Sequence, residues 1–413
     1  MFKVTLFLTF TIVCFSCSTR TQNNTAVENA NTDTTPDRNA PVETKKANTG
    51  YQPAFAGQTR IGSVKTNTAY SGKVLTRDLK NPWGIAVLPD GRMLVNEKGG
   101  KMRIVTGTGQ VGDAISGIPA VNSSGQGGLL GIAIDPEFAT NRMVYWTFSE
   151  AVEAGNLTAV AKGTLSADEK TMENVTVIYR ATPAYNGSLH YGSRVLVDQT
   201  GNLIISTGER SDLATRPQAQ DLNSALGKII RITKDGQPAA GNPFINQAGK
   251  RPELYSYGHR NVQGLALHPV TGDLWNGEFG PRGGDEINLV TAGRNYGWPV
   301  ISYGLEYSGE KIGAGITQQE GMEQPVYYWD PVLSPSGMTF YSADQVPEWK
   351  NNLFIAGLNS NHIARLVINN NKVTGEERLL ANEGQRFRDI TQGKDGALYA
   401  ITDEGRLYRI SKN

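Results

Sequence analysis

The sequence predicts an all-β fold, a six-bladed β-propeller of four-stranded antiparallel blades. The first observation is a repeat: an apolar run, a turn rich in Pro, Asp and Gly, and a second apolar run recur six times. Their spacing, very roughly 50 to 70 residues, suits one blade per copy. The second is period: the runs are about four to six residues long and alternate with period two, and no long helical period appears. The third is the 47 glycines, which recur beside these runs as tight turns between short strands require. A β-sandwich or a seven-bladed ring uses similar strands, but six copies favour six blades.

The copies follow in order. Trp83–Val95 is the first, with Pro-Asp-Gly between its runs. The second runs from Leu129–Phe138 to Met143–Trp146, and the third is Ser193–Ile205. Val262–Trp275 is the fourth, a hairpin around His-Pro-Val-Thr-Gly-Asp. Gly337–Tyr341 with Asn352–Ala356 forms the fifth. The sixth is Asp389–Ile401, followed by Gly405–Ile410. The segment Arg60–Leu75 precedes them all and is expected to supply the outer strand that closes the ring.

A chain of 413 residues holds two average domains or one large all-β domain. Lys and Arg total 40 against 39 Asp and Glu, so no global electrostatic case exists for a nucleic-acid partner. Cys14 and Cys17 are the only cysteines, which leaves the rest of the chain without a disulfide framework or a thiolate metal site. Four histidines without an H-E-x-x-H pattern argue against a His-rich zinc site.

At the N-terminus, Lys3 and the apolar run Val4–Phe15 read as a secretory signal, too short to span a membrane. Ser16-Cys17 resembles a bacterial lipoprotein cleavage site, so residues 1–17 are expected to be a signal peptide with lipidation at Cys17. Ordinary secretion with cleavage nearby is the alternative. Residues 18–50, rich in Thr, Asn and Ala, are expected to form a disordered tether, with the propeller over 51–413. The protein is therefore expected to be exported, as a periplasmic or outer-membrane lipoprotein.

Tyr257–Pro299 concentrates Gly, Pro, Arg and acid at both ends of one hairpin: Arg260, Asn261 and Gln263 before it, Asp285 and Glu286 after it. Gln126, His190, Arg260 and Arg386 each precede the first run of their repeat, so in a propeller they share one channel mouth. An imidazole there suits proton removal near neutral pH. Glu209, after the second run of its repeat, is placed to orient or charge His190, with a solvated strand end as the plain alternative. Arg386 and Arg388 alternate onto one face and suit a planar polyanion bearing carboxylates. The Gly280–Glu286 stretch lacks EF-hand spacing, yet its carbonyls and Glu286 are hard-oxygen donors suited to Ca²⁺.

Four stretches in order, Gly125–Gly131, Gly258–Ala266, Gly280–Asn288 and Asn295–Pro299, resemble the soluble pyrroloquinoline quinone (PQQ)-dependent sugar dehydrogenases, in particular the aldose sugar dehydrogenase branch. The resemblance implies a propeller holding PQQ over its mouth. It implies that His190 is the base that removes the proton of the sugar's anomeric hydroxyl as hydride passes from C1 to the quinone, and that Arg260 polarises the quinone oxygen. Asn261, Arg386 and Arg388 would hold the cofactor, Gln126 and Glu209 would flank the sugar, and Trp329 would line its entrance. Carbonyls of Gly280 and Pro281 would ligate Ca²⁺, with Glu286 and the Tyr296 carbonyl at a second site. Asn359 stands where the family's glucose dehydrogenases carry a lysine, which removes one cation from an anionic cofactor's surroundings. The implied reaction is oxidation of aldoses to lactones, with electrons passed to an external acceptor. A non-enzymatic propeller that binds glycan or protein and a calcium-dependent lactone hydrolase are the alternatives.

Overall fold

The computed structural model describes residues 1–2 and 40–413. The chain divides into Met1–Pro36 and a second unit, Asp37–Asn413, which holds all the structure that follows. The expected signal segment beyond Phe2, the Cys17 lipidation site and residues 18–39 of the tether lie outside the described residues.

Six antiparallel four-stranded sheets form the blades. Their inner strands are Pro82–Val87, Leu129–Ile134, Val195–Val197, Val262–Leu267, Pro335–Phe340 and Phe387–Gln392, and each packs against the next around a closed ring. Blade 6 is completed from the other end of the chain: Tyr70–Thr76 pairs with Leu407–Lys412 as its outermost strand. The closing strand thus comes from the segment the sequence indicated. Among the described residues no α-helix exceeds the four residues of Phe138–Asn141.

The core lies between blades, because each sheet can bury both faces only against its neighbours. Trp146 and Phe148 of blade 2 pack on Leu94 and Met102 of blade 1. Trp275 of blade 4 meets Met338 and Ile355 of blade 5, and Tyr399 and Ile401 of blade 6 meet Ile85 and Met93 of blade 1. The axis is polar instead. Arg194 of blade 3 reaches Asp389 of blade 6 at 2.5 Å, donates through Nε to the Gln263 carbonyl of blade 4 and stacks over Trp83 of blade 1. A Cβ on Gly337 would sit 1.7 Å from Asp389 Oδ1, so blade 5 needs glycine to approach this pair.

Antiparallel pairing brings the start of each inner strand and the end of the second strand to the same face: Val262 pairs with Glu278, Pro335 with Gly357, and Phe387 with Thr402. That face is the mouth where the site assembles.

The tether expectation is corrected for residues 40–50, which are docked on the propeller. Glu43 pairs with Arg378 at 2.7 Å, and the Asn48 and Thr49 amides donate to the Asp330 carboxylate. Polar contacts hold this segment, so its lack of apolar residues does not leave it free.

Candidate active site

His190 is buried at the mouth, in a left-handed backbone conformation at φ 46° that non-glycine residues adopt only when their surroundings impose it. The surroundings do so from three sides. Its amide donates to Gln126 Oε1 at 2.9 Å, and Gly208 lies so close that a Cβ there would be 2.2 Å from the His190 carbonyl oxygen. Arg210 stacks over Tyr191 and donates to the carbonyls of Leu189 and Gly187, clamping the loop that carries the histidine. Glu209 Oε1 lies 2.7 Å from His190 Nδ1, and its other oxygen accepts from the Ser211 amide. With the carboxylate on Nδ1, that nitrogen carries the proton and Nε2 keeps its lone pair. Among the described residues Nε2 makes no hydrogen bond. Burial, then the positive charge of Arg260, lower the imidazole pKa to about 4 against the opposing pull of Glu209. At neutral pH His190 is an uncharged base with one free nitrogen.

Arg260 and Asn261 lead into the inner strand of blade 4. The Arg260 amide donates to Glu278 Oε2 at 2.8 Å, and Nη1 donates to the carbonyls of Phe279 and Gly280. Its guanidinium stacks against Trp298, while its buried Nε has no partner among the described residues. Asn261 Oδ1 accepts from the Gly192 amide at 3.0 Å, beside His190, and its amide nitrogen makes no hydrogen bond among the described residues. Arg260, Glu278, Gly280, Pro281, Glu286 and Tyr296 border one small cavity. Asn288 Nδ2 bridges Glu278 and Glu286, and burial and the Glu278 charge push Glu286 well above the usual carboxylate range. Two acids enclosed so closely, with carbonyls nearby, are a donor set for a hard cation. No cluster of three or more His, Cys, Asp or Glu suited to a metal occurs among the described residues, so such a cation would depend on those carbonyls.

Arg386 and Arg388 share a carboxylate that sequence reading missed, Asp403: Arg386 Nε is 3.0 Å from Oδ2 and Arg388 Nε is 2.8 Å from Oδ1. Arg388 Nη1 also donates to Gln263 Oε1. Asn359 is exposed on the mouth loop of blade 5 and Gln126 is exposed on that of blade 2. Trp329 does not line the channel. It lies buried on Tyr327–Trp329, the outermost strand of blade 4, with Nε1 donating to Glu376 at 3.2 Å, and so is a packing residue between blades 4 and 5. Arg210, Glu278 and Trp298 were missed as well. Arg210 had a readable signal, since it adjoins Glu209, whereas Trp298 gains its place only from the fold.

Residues 79–409 match the Glucose / Sorbosone dehydrogenase family. The chain belongs to this family. It is 41% identical over 344 residues to aldose sugar dehydrogenase YliI of Escherichia coli K12, covering 82% of this chain and 92% of that one. The apo-form crystal structure of the soluble aldose sugar dehydrogenase from Escherichia coli superposes with TM-score 0.80 at 40% identity, over 84% of this chain and all of that one. The PQQ-bound aldose sugar dehydrogenase from Streptomyces coelicolor gives TM-score 0.70 at 30% identity, over 84% and 99%. These neighbours are sugar dehydrogenases, one of them described in its PQQ-bound form, and as a member of the same family this chain is an oxidoreductase built on a propeller.

Proposed function

We propose that this protein is a PQQ- and calcium-dependent aldose dehydrogenase, which oxidises the sugar at C1 to a lactone and passes the electrons to an external acceptor. The observation that carries the reading is a neutral His190, held by Glu209, beside a guanidinium with an unpaired buried nitrogen. The donors fit the cofactor. Among the described residues Arg260 Nε and the Asn261 side-chain nitrogen have no hydrogen-bond partner, and Arg386 and Arg388 bring two cations against one Asp403. When bound, PQQ would supply a two-electron oxidant for the hydride leaving C1.

The chain's own residues do the rest. His190 Nε2 takes the proton of the anomeric hydroxyl, and Glu209 stabilises the imidazolium that results. Arg260, fixed through the Phe279 and Gly280 carbonyls, supplies positive charge already oriented for the negative charge that develops. Asn261, Arg386, Arg388 and Asn359 contribute to holding the cofactor, and Gln126 orients the His190 loop beside the sugar. For calcium, the carbonyls of Gly280 and Pro281 are the first donors, the Gly280 oxygen retaining a lone pair beyond its bond to Arg260. Glu286 and the Tyr296 carbonyl are donors for a second ion. We read residues 1–17 as an export signal with lipidation at Cys17. Fatty-acid labelling in cells that persists in Cys17→Ser would contradict that reading. The function is tested by aldose-dependent reduction of an artificial dye. Turnover that requires both added quinone and Ca²⁺ supports it, and lactone hydrolysis without quinone would replace it.

A further inference from the structure

The position just after each blade's second strand faces the mouth. In blades 1 and 6 it is Lys98 and Asp403, whereas Gly280 in blade 4 and Asn359 in blade 5 stand one residue further on, after Phe279 and Leu358. Blade 6 carries Arg386 and Arg388, and its ring neighbours are blades 5 and 1. On the blade 5 side the polar residue of this loop is the neutral, exposed Asn359, two positions past the strand. On the blade 1 side it is Lys98, half-buried, its Nζ donating to the Gly125 carbonyl next to Gln126. Burial and then the Arg388 charge hold this ammonium below its usual range, with Asp403 acting the other way, so Lys98 and Arg388 lie within each other's field. Glu97, beside Lys98 in the chain, is taken: it accepts from Arg103 and from the Lys80 amide. Arg386 and Arg388 already share the single carboxylate of Asp403, and Lys98, at the matching place on the adjacent blade, brings a third cation to this corner of the mouth with no ion-pair partner of its own among the described residues. A partly desolvated cluster of that sign is relieved by binding an anion.

We propose that Lys98 is a cofactor-binding residue whose ammonium holds a carboxylate of the quinone from blade 1, in compensation for the cation that Asn359 does not supply from blade 5. This inference rests on the PQQ reading above.

The test is equilibrium binding of PQQ to the full-length, calcium-supplemented protein, read by quenching of tryptophan fluorescence, with melting temperature as the fold control. Lys98→Met should raise the Kd for PQQ by about 10- to 100-fold and flatten its dependence on salt, as loss of one charge-assisted contact requires. Lys98→Arg should stay within about threefold of wild type, because it keeps the charge. Adding Asn359→Lys to Lys98→Met should recover affinity. Wild-type affinity in Lys98→Met overturns the proposal, and so does an equal loss in Lys98→Arg, which marks a packing role. If the wild type binds no quinone with calcium in excess, the PQQ reading fails and the role of Lys98 fails with it. Quinone binding that is indifferent to Lys98 sinks this inference alone.

Discussion

Glu209→Gln isolates the charge that supports His190. Burial and Arg260 take the imidazole from 6.5 to about 4, roughly 3 kcal/mol against the protonated form. The hydrogen bond and charge of Glu209 are the terms that oppose this shift. Glutamine preserves the shape and an acceptor for Nδ1 but removes the charge. Two consequences follow. In the apoprotein the His190 pKa should fall further, and an NMR titration can follow it because the chain has only four histidines. In turnover, kcat should drop by about 10- to 100-fold, since a charge-assisted bond worth about 1.5–3 kcal/mol no longer stabilises the imidazolium. The sign for activity is that of a base. The wild-type rate, limited by the neutral imidazole, should hold from neutral pH down to about 4 and fall only below it, with the acid limb of Glu209→Gln displaced to still lower pH. A wild-type His190 that titrates near 6.5, or a Glu209→Gln enzyme with unchanged kcat, would refute this account of the dyad.

Arg194→Met leaves the Asp389 carboxylate buried without its ion pair and should cost about 3–5 kcal/mol in denaturant unfolding. Asp389 already has its pKa raised, by burial, against the pull of Arg194. Removing that pull raises it further, so the loss should be smaller at pH 5 than at pH 8, because stability held by the protonated carboxyl disappears as pH rises through the folded pKa. Gly337→Ala places its Cβ on Asp389 Oδ1 and should yield insoluble or strongly destabilised protein in an expression assay. Trp329→Phe loses the bond to Glu376 and should cost about 1–3 kcal/mol in thermal unfolding while leaving the KM for sugar unchanged. A changed KM would return Trp329 to the sugar entrance.

The blades were legible because each copies one local signal. Runs such as Trp83–Val95 and Val262–Trp275 carry both their period and their turn, so six hairpins and the closing strand could be read without any long-range information. Residues that precede the inner strands were legible for the same reason, since topology alone brings Gln126, His190, Arg260 and Arg386 to one face. The structure adds contacts between segments far apart in the chain. Arg194 meets Asp389 across 195 positions and Arg388 meets Gln263 across 125, and no periodicity reports such pairs. Lys98 and Asp403 each directly follow the second strand of their blade, one position before the place Asn359 holds in blade 5, so extending the comparison around the ring would have found them. Trp329 was misplaced although Tyr327 and Trp329 alternate as a buried strand does, because an aromatic beside Asp-Pro also reads as a loop rim. Residues 40–50 misled for a different reason: composition counts apolar burial, whereas Glu43, Asn48 and Thr49 dock through charge and hydrogen bonds.

The central claim is that His190 removes a proton from the sugar at a site that also binds the quinone. Its most direct test is one anaerobic turnover of protein loaded with PQQ, comparing wild type with His190→Ala at equal quinone occupancy. The quinone absorbance of the wild type should disappear on adding aldose, and that of His190→Ala should decay about 10²- to 10⁴-fold more slowly, the usual contribution of a positioned base. Equal decay in the two proteins, at matched occupancy, would contradict the assignment of His190 as the base.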